Sequence, residues 1–222
     1  FQVTLSRSGE AAKSLLGENF RGILNSDRYG AYNWLDVNQR QLCWAHLKRE
    51  FIKISERNGV SRQLGRDLLA QQKKLFRLWR RVRDGTLSWS SFQSGVDPLR
   101  EKVNFLLSSA AEYEIGAQEK TPLAKTVRTC RQLLKVEPAL WLFTSAEGTE
   151  PTNNAAERAI RPAVLWRKNS FGSQSEEGSL FVSRMLTVVT SLRSQKLNVL
   201  TFLTESIRAS RQGSSSPSLL PI

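Results

Sequence analysis

Between Ser61 and Phe143 the apolar residues recur at three- and four-residue steps, and no stretch alternates as a half-buried strand does. Leu64, Leu68, Leu75, Trp79 and Val82 mark one face of a long helix that ends at Asp84-Gly85. Asp97-Pro98 opens a second, with Leu99, Val103, Leu106 and Ala110 along a face. A third runs from about Pro122 through Leu123, Val127, Cys130 and Leu134, and Pro138 to Phe143 reads as a short apolar helix or turn. Residues 60 to 148 are therefore expected to be a strand-free helical block inserted into a mixed fold.

The flanks carry the β signal. Residues 1–5 alternate weakly and are expected to form a strand, followed by a short helix from Glu10 to Leu16 closed by Gly17. Phe20 to Ser26 is an apolar run ending in polar residues, a buried strand with Asp27 just past its end. Tyr29 to Leu35 is a turn or short helix, and Gln39 to Cys43 a further strand. Trp44, Leu47, Phe51 and Ile54 then mark a helix that Asn58-Gly59 stops. After the block, a helix should begin at Asn153 or Asn154, pass through Glu157, and end or kink at Pro162, because proline lacks the amide hydrogen. Arg167 to Ser175 reads as a polar loop, Leu180 to Leu192 and Asn198 to Ala209 as helices, and the tail from Gly213 as loose. The fold class expected is α/β, mostly α by residue count.

The 33 Lys and Arg against 20 Asp and Glu leave a formal charge of +13 and a pI near 10.3. Such a surplus favours a polyanionic partner, either nucleic acid or an anionic membrane surface. No run of 18 apolar residues exists, so no membrane-spanning helix is expected, and the first residues lack the pattern of a signal peptide. Two cysteines, Cys43 and Cys130, make no disulfide framework; their scarcity fits a reducing cytosol, although two can pair. The chain begins with Phe and its only methionine is Met185, so it is expected to be part of a longer protein.

Four constellations could carry chemistry. In Ser26-Asp27-Arg28-Tyr29, an acid at the carboxyl end of a buried strand suits a metal ligand, and it equally suits a cap on the following turn. In the run from Pro151 to Pro162, Glu157 reads either as a metal ligand on a helix flanked by phosphate-facing Arg158 and Arg161, or as a structural acid. The structural reading rests on its capping-box spacing to Asn154 and its four-residue spacing to Arg161. In Cys43-Trp44-Ala45-His46, a structural zinc site lacks ligands, since the chain has one His and one other Cys. His46 is thus either a helix residue beside a buried Cys or a contact near the acidic site. Lys73 to Arg83 holds six basic residues in eleven, which suit DNA phosphates, while Phe76 and Trp79 fit a core stripe. Arg167-Lys168-Asn169-Ser170 is a smaller candidate of the same kind. No nucleophile elbow, phosphate loop or dinucleotide fingerprint occurs.

Taken in order, four stretches resemble the IS66 family of bacterial insertion-sequence transposases. They are Gly22 to Tyr32 (Gly-Ile-Leu-Asn-Ser-Asp-Arg-Tyr-Gly-Ala-Tyr), Gln41 to Phe51 (Gln-Leu-Cys-Trp-Ala-His-Leu-Lys-Arg-Glu-Phe), Pro151 to Pro162, and Trp166 to Gly172. The resemblance implies a ribonuclease-H-like fold with an Asp-Asp-Glu triad, in which Asp27 is the second acid and Glu157 the third. Residues 1–58 and 151–212 would be parts of that fold, 59–150 its helical insertion and 213–222 a flexible tail. The first acid would lie on an upstream strand, since no Asp precedes Asp27. This chain alone would then be inactive.

The resemblance further implies two divalent cations, Mg²⁺ or Mn²⁺, and DNA as partner, both transposon ends and target. His46, Asn153, Asn154, Arg158, Arg161, Arg167 and Lys168 would support the site or contact DNA. The full-length protein is expected to be a bacterial, cytoplasmic, nucleoid-associated homo-oligomer, with room for accessory proteins and no membrane association. Two rival readings are a non-catalytic DNA-binding or assembly remnant of a transposase, and a nuclease of the same fold.

Overall fold

The computed structural model describes residues 1–220, so positions 221 and 222 of the expected tail lie outside the described residues. In chain order the regular elements are α1 (Gly9–Leu16), β1 (Leu24–Ser26), β2 (Arg40–Leu42), α2 (Trp44–Ser55), α3 (Gly59–Arg83), α4 (Trp89–Ala111), α5 (Pro122–Lys135), α6 (Glu137–Trp141), α7 (Asn154–Asn169), α8 (Glu176–Ser194) and α9 (Val199–Gln212). Short 3₁₀ turns at 30–32, 37–39 and 142–144 complete the set. Most described residues are helical, and the sheet is a single pair of strands. The chain divides into two compact units, Leu16–Asn154 and Phe1–Leu15 with the chain from Ala155 onward.

In the larger unit, β1 and β2 run parallel, with Leu24 opposite Arg40, Asn25 opposite Gln41 and Ser26 opposite Leu42. A pair this short cannot hold itself together. Buried tertiary bonds do so instead. The Gln41 side chain is fully buried: its amide donates to the carbonyls of Leu42 and Leu140, and its Oε1 accepts from the Phe143 amide. Trp44 Nε1 donates to the Leu140 carbonyl at 2.7 Å, and the Trp44 and Trp141 rings meet edge-on at 5.0 Å. These contacts clamp α6 onto β2 and the start of α2. Trp79, Phe92 and Phe143 form a second aromatic group that ties α3 and α4 to the same core.

The helical block forms as its spacing predicts, with one correction. The helix expected to open at Asp97-Pro98 begins instead at Trp89, capped by the Ser88 hydroxyl, and Pro98 lies inside it. A proline there forfeits a backbone bond and costs about 3 kcal/mol. Phe92, Val96, Leu99, Val103 and Leu107 form one buried stripe running straight through it. Each such side chain returns about 1.5–3 kcal/mol on burial, which outweighs the loss. In the basic run, Trp79 is buried and Phe76 half-buried, while Lys73, Lys74, Arg77, Arg80, Arg81 and Arg83 are all exposed. Cys43 and Cys130 are both buried and free, so the pairing left open by the sequence is not made.

In the other unit, residues 1–5 form no strand. Their alternation has no partner edge; instead the Phe1 amino group donates to Thr187 Oγ1 and the Phe1 carbonyl accepts from Ser183 Oγ on α8. Pro162 does not end α7, which continues to Asn169 and takes Arg167 and Lys168 into its last turn rather than into a loop. α7 starts at Asn154 and carries Glu157 in its first turn. The Asn198 side chain caps α9 at Thr201, and Gly213, at φ 66°, ends it. No residue of α7 is buried, and only Leu192 of α8 and Ala209 of α9 are.

Candidate functional site

The carboxyl ends of the two parallel strands form one corner of the larger unit, the side of an open α/β sheet where ligands bind. The Ser26 carbonyl accepts from the Cys43 amide at 2.8 Å, which extends the ladder one step beyond β2. Asp27 follows directly. Its Oδ1 accepts from the Tyr29 amide at 3.0 Å, the turn-capping role that the sequence left open. Its Oδ2 has no hydrogen-bond partner among the described residues.

The segment that leads to Glu157 is fastened to the same corner. Asn25 Nδ2 donates to the Glu150 carbonyl, the Trp44 amide donates to the Pro151 carbonyl at 2.9 Å, and the Asn153 amide donates to Cys43 Sγ at 3.4 Å. Pro151 is buried. Cys43 Sγ thus acts as a buried acceptor, and α2 begins at the next residue, Trp44. His46 is half-buried in the first turn of α2. Two buried amide oxygens nearby in the chain, Asn25 Oδ1 and Asn153 Oδ1, have no hydrogen-bond partner among the described residues.

The structure therefore joins Asp27, Asn25, Cys43 and Asn153 through the strand ends, with Asn154 closing this unit. Glu157, Arg158, Arg161, Arg167 and Lys168 belong to the other unit, all exposed on α7. Among the described residues no group of three or more His, Cys, Asp or Glu side chains converges as a metal centre. The donor chemistry at Asp27 still suits a hard divalent ion, with an open carboxylate oxygen and unsatisfied amide oxygens on the adjoining segments.

Sequence reasoning missed Arg40. It is 4% exposed on β2 and donates to Asn33 Oδ1 at 3.0 Å, while its Nε is buried with no hydrogen-bond partner among the described residues. Burial pushes its pKa below the ordinary arginine value, and Asp27 and then Tyr32 pull it back up. A charged residue at the start of an otherwise buried strand was the available signal.

A sequence model described as "Transposase IS66 family" matches residues 1–180. The chain is 30% identical over 213 residues to the uncharacterized protein y4qI of Sinorhizobium fredii, covering 91% of this chain and 38% of that protein. It is 24% identical over 213 residues to the uncharacterized protein y4hP of the same organism, covering 87% and 37%. The chain thus spans less than two fifths of the length of these relatives. No solved structure matches. Among the described residues no helix is long and apolar enough to cross a membrane.

Proposed function

The chain belongs to the IS66 transposase family, and from that premise we propose that it contributes Asp27 and Glu157 to a metal-dependent site for DNA cleavage and strand transfer. The observation that carries the reading is the corner at the strand ends. Asp27 leaves β1 with one carboxylate oxygen open, and the chain running to α7 is fastened beside it through Glu150, Pro151 and Asn153. The proposal includes a ribonuclease-H-like fold, completed by a first acid on a further part of the protein.

The carboxylates would hold two Mg²⁺ ions, which when bound activate the attacking oxygen and stabilise the leaving one. The residues of this chain do the positioning. The Tyr29 amide fixes the rotamer of Asp27 through Oδ1 and leaves Oδ2 for a ligand. Asn153 and Asn154 lead into α7, which carries Glu157 in its first turn. Arg158, Arg161, Arg167 and Lys168 are exposed cations suited to DNA phosphates, as are the basic residues of α3. His46 supports the corner from α2. The working form is a cytoplasmic, nucleoid-associated homo-oligomer acting on transposon ends and target DNA, with or without accessory proteins.

The test uses the full-length protein with paired transposon ends and a target duplex. Asp27→Asn keeps an oxygen for the Tyr29 amide and removes the charge, so the turn should survive while joined products disappear. Glu157→Gln should behave the same way, and both variants should retain end binding. Joined products at wild-type yield from either variant would remove that residue from the site.

A further inference from the structure

An open pocket of about 400 Å³ lies between β2 and the carboxyl end of α5. Arg28, Asn33, Arg40, Gln132 and Lys135 supply its polar lining, with Leu42 and Val136 as apolar surface. Three of the five polar groups are cationic, two are carboxamides, and no carboxylate lines it. We infer that this pocket binds a phosphate group, gripped by Arg28, Arg40 and Lys135.

Arg40 makes the case stronger than a basic surface patch would. A guanidinium taken out of water needs a partner for each donor, and a buried charge is tolerated when it is paired. Asn33 satisfies one terminal nitrogen at 3.0 Å, while Nε stays buried and unpartnered in the same side chain that lines the pocket. Asp27 acts on Arg40 through its charge, but the hydrogen bond given for the Arg40 guanidinium goes to Asn33. An anion in the pocket adds a counter-charge beside this guanidinium. The planar fork of Arg40 matches two oxygens of a tetrahedral phosphate, and the carboxamides of Asn33 and Gln132 offer further donors.

Of the opposing charges nearby, Asp27 acts on Arg40 from outside the pocket lining, and the other two are engaged elsewhere. Glu50 lies 3.6 Å from Arg28, and Glu137, next to Val136, is held by Arg100 through two contacts of 2.7 Å. The carboxyl end of α5 carries the negative pole of that helix, and Lys135 in its last turn offsets it. Arg28 directly follows Asp27, so a phosphate held here sits one residue along the chain from the proposed metal ligand. If the DNA reading holds, that phosphate is a backbone phosphodiester; the pocket itself does not depend on that reading.

The experiment titrates the folded protein with inorganic phosphate at constant ionic strength, following thermal stability and ³¹P line width. A parallel titration uses a DNA duplex at several salt concentrations. Lys135 and Gln132 are exposed, so Lys135→Glu should fold; Arg28→Gln repeats the test at a second lining residue. Lys102→Glu, exposed on α4, makes the same change in net charge away from the pocket. Lys135→Glu should weaken inorganic phosphate about tenfold or more, as expected for one lost charge-assisted hydrogen bond, with Lys102→Glu within about twofold of wild type. A matching loss for DNA, with a salt slope lower by about one, identifies the source as a backbone phosphate. A loss for inorganic phosphate alone supports the pocket and assigns it to a small phosphorylated ligand, against a DNA role there. If Lys135→Glu and Lys102→Glu are indistinguishable in both titrations, the phosphate site is refuted.

Discussion

Gly65 offers the sharpest test of how the helical block is joined to the strand corner. It is buried in α3 where that helix crosses the last turn of α2. A Cβ built there would stand 2.3 Å from the Ser55 nitrogen, 2.6 Å from the Ser55 Cα and 2.8 Å from the Ile54 carbonyl carbon. All three are backbone atoms, so no rotamer change relieves the collision, and α3 must retreat by about 1 Å to reach ordinary contact. Overpacking of this kind costs up to about 3 kcal/mol, and the better helix propensity of alanine returns about 1. Gly65→Ala should therefore destabilise the larger unit by about 2 kcal/mol, lowering its melting temperature by about 4–8 °C. Gly95 is the control. In α4 its added Cβ would meet only the end of the Leu78 side chain, at 3.2 Å, which can turn away. Gly95→Ala should be neutral or stabilising by up to about 1 kcal/mol. Tryptophan fluorescence during thermal or urea unfolding reads the effect, because Trp34, Trp44, Trp79, Trp89 and Trp141 all lie in this unit. A Gly65→Ala protein as stable as the wild type would refute the close approach of α2 and α3. Equal losses at both glycines would refute the assignment of the effect to it.

Three further outcomes are expected. Cys130 is buried, and desolvation, slightly opposed by Arg57, pushes its thiol up to about 11 from 9.0. Its stabilising contribution is intact below pH 9 and fades as the pH rises toward 11, because the unfolded thiol ionises first; a thiol reagent at pH 8 should label it only after denaturation. Thr121→Ala removes the hydroxyl that accepts from the Ala124 amide at the start of α5 and should cost about 1 kcal/mol by urea denaturation, with Thr121→Ser restoring most of it. A double-mutant cycle of Arg100→Ala and Glu137→Ala should give a coupling of about 1 kcal/mol, kept modest because the Arg100 side chain is 43% exposed.

Much of this architecture was legible in the sequence because helical periodicity is local. Leu64 to Val82 and Leu123 to Leu134 mark their helices from spacing alone, whereas only Leu24–Ser26 of the strand expected over Phe20 to Ser26 forms, with Asp27 just past its end. The reading failed where distant packing overrides a local rule. Pro98 lies mid-helix because the buried stripe from Phe92 to Leu107 outweighs one lost hydrogen bond. Residues 1–5 alternate like a strand and form none, since a strand exists only with a partner. Asp27 as a turn former was written in its own tetrapeptide; the fastening of Glu150, Pro151 and Asn153 to Asn25, Trp44 and Cys43, more than a hundred residues away along the chain, was not.

The sequence by itself determined that this chain is a strongly basic, mostly helical member of the IS66 transposase family, because charge and repeat spacing are sums over residues and the family's motifs are contiguous. Only the tertiary structure decided that Gln41 clamps the strand pair to α6, that Gly65 admits α2, and that Arg40 is buried with an unpartnered nitrogen beside Arg28 and Lys135. Those three facts depend on which backbone or side-chain atoms are left without water or without room, and that is fixed by segments brought together in space.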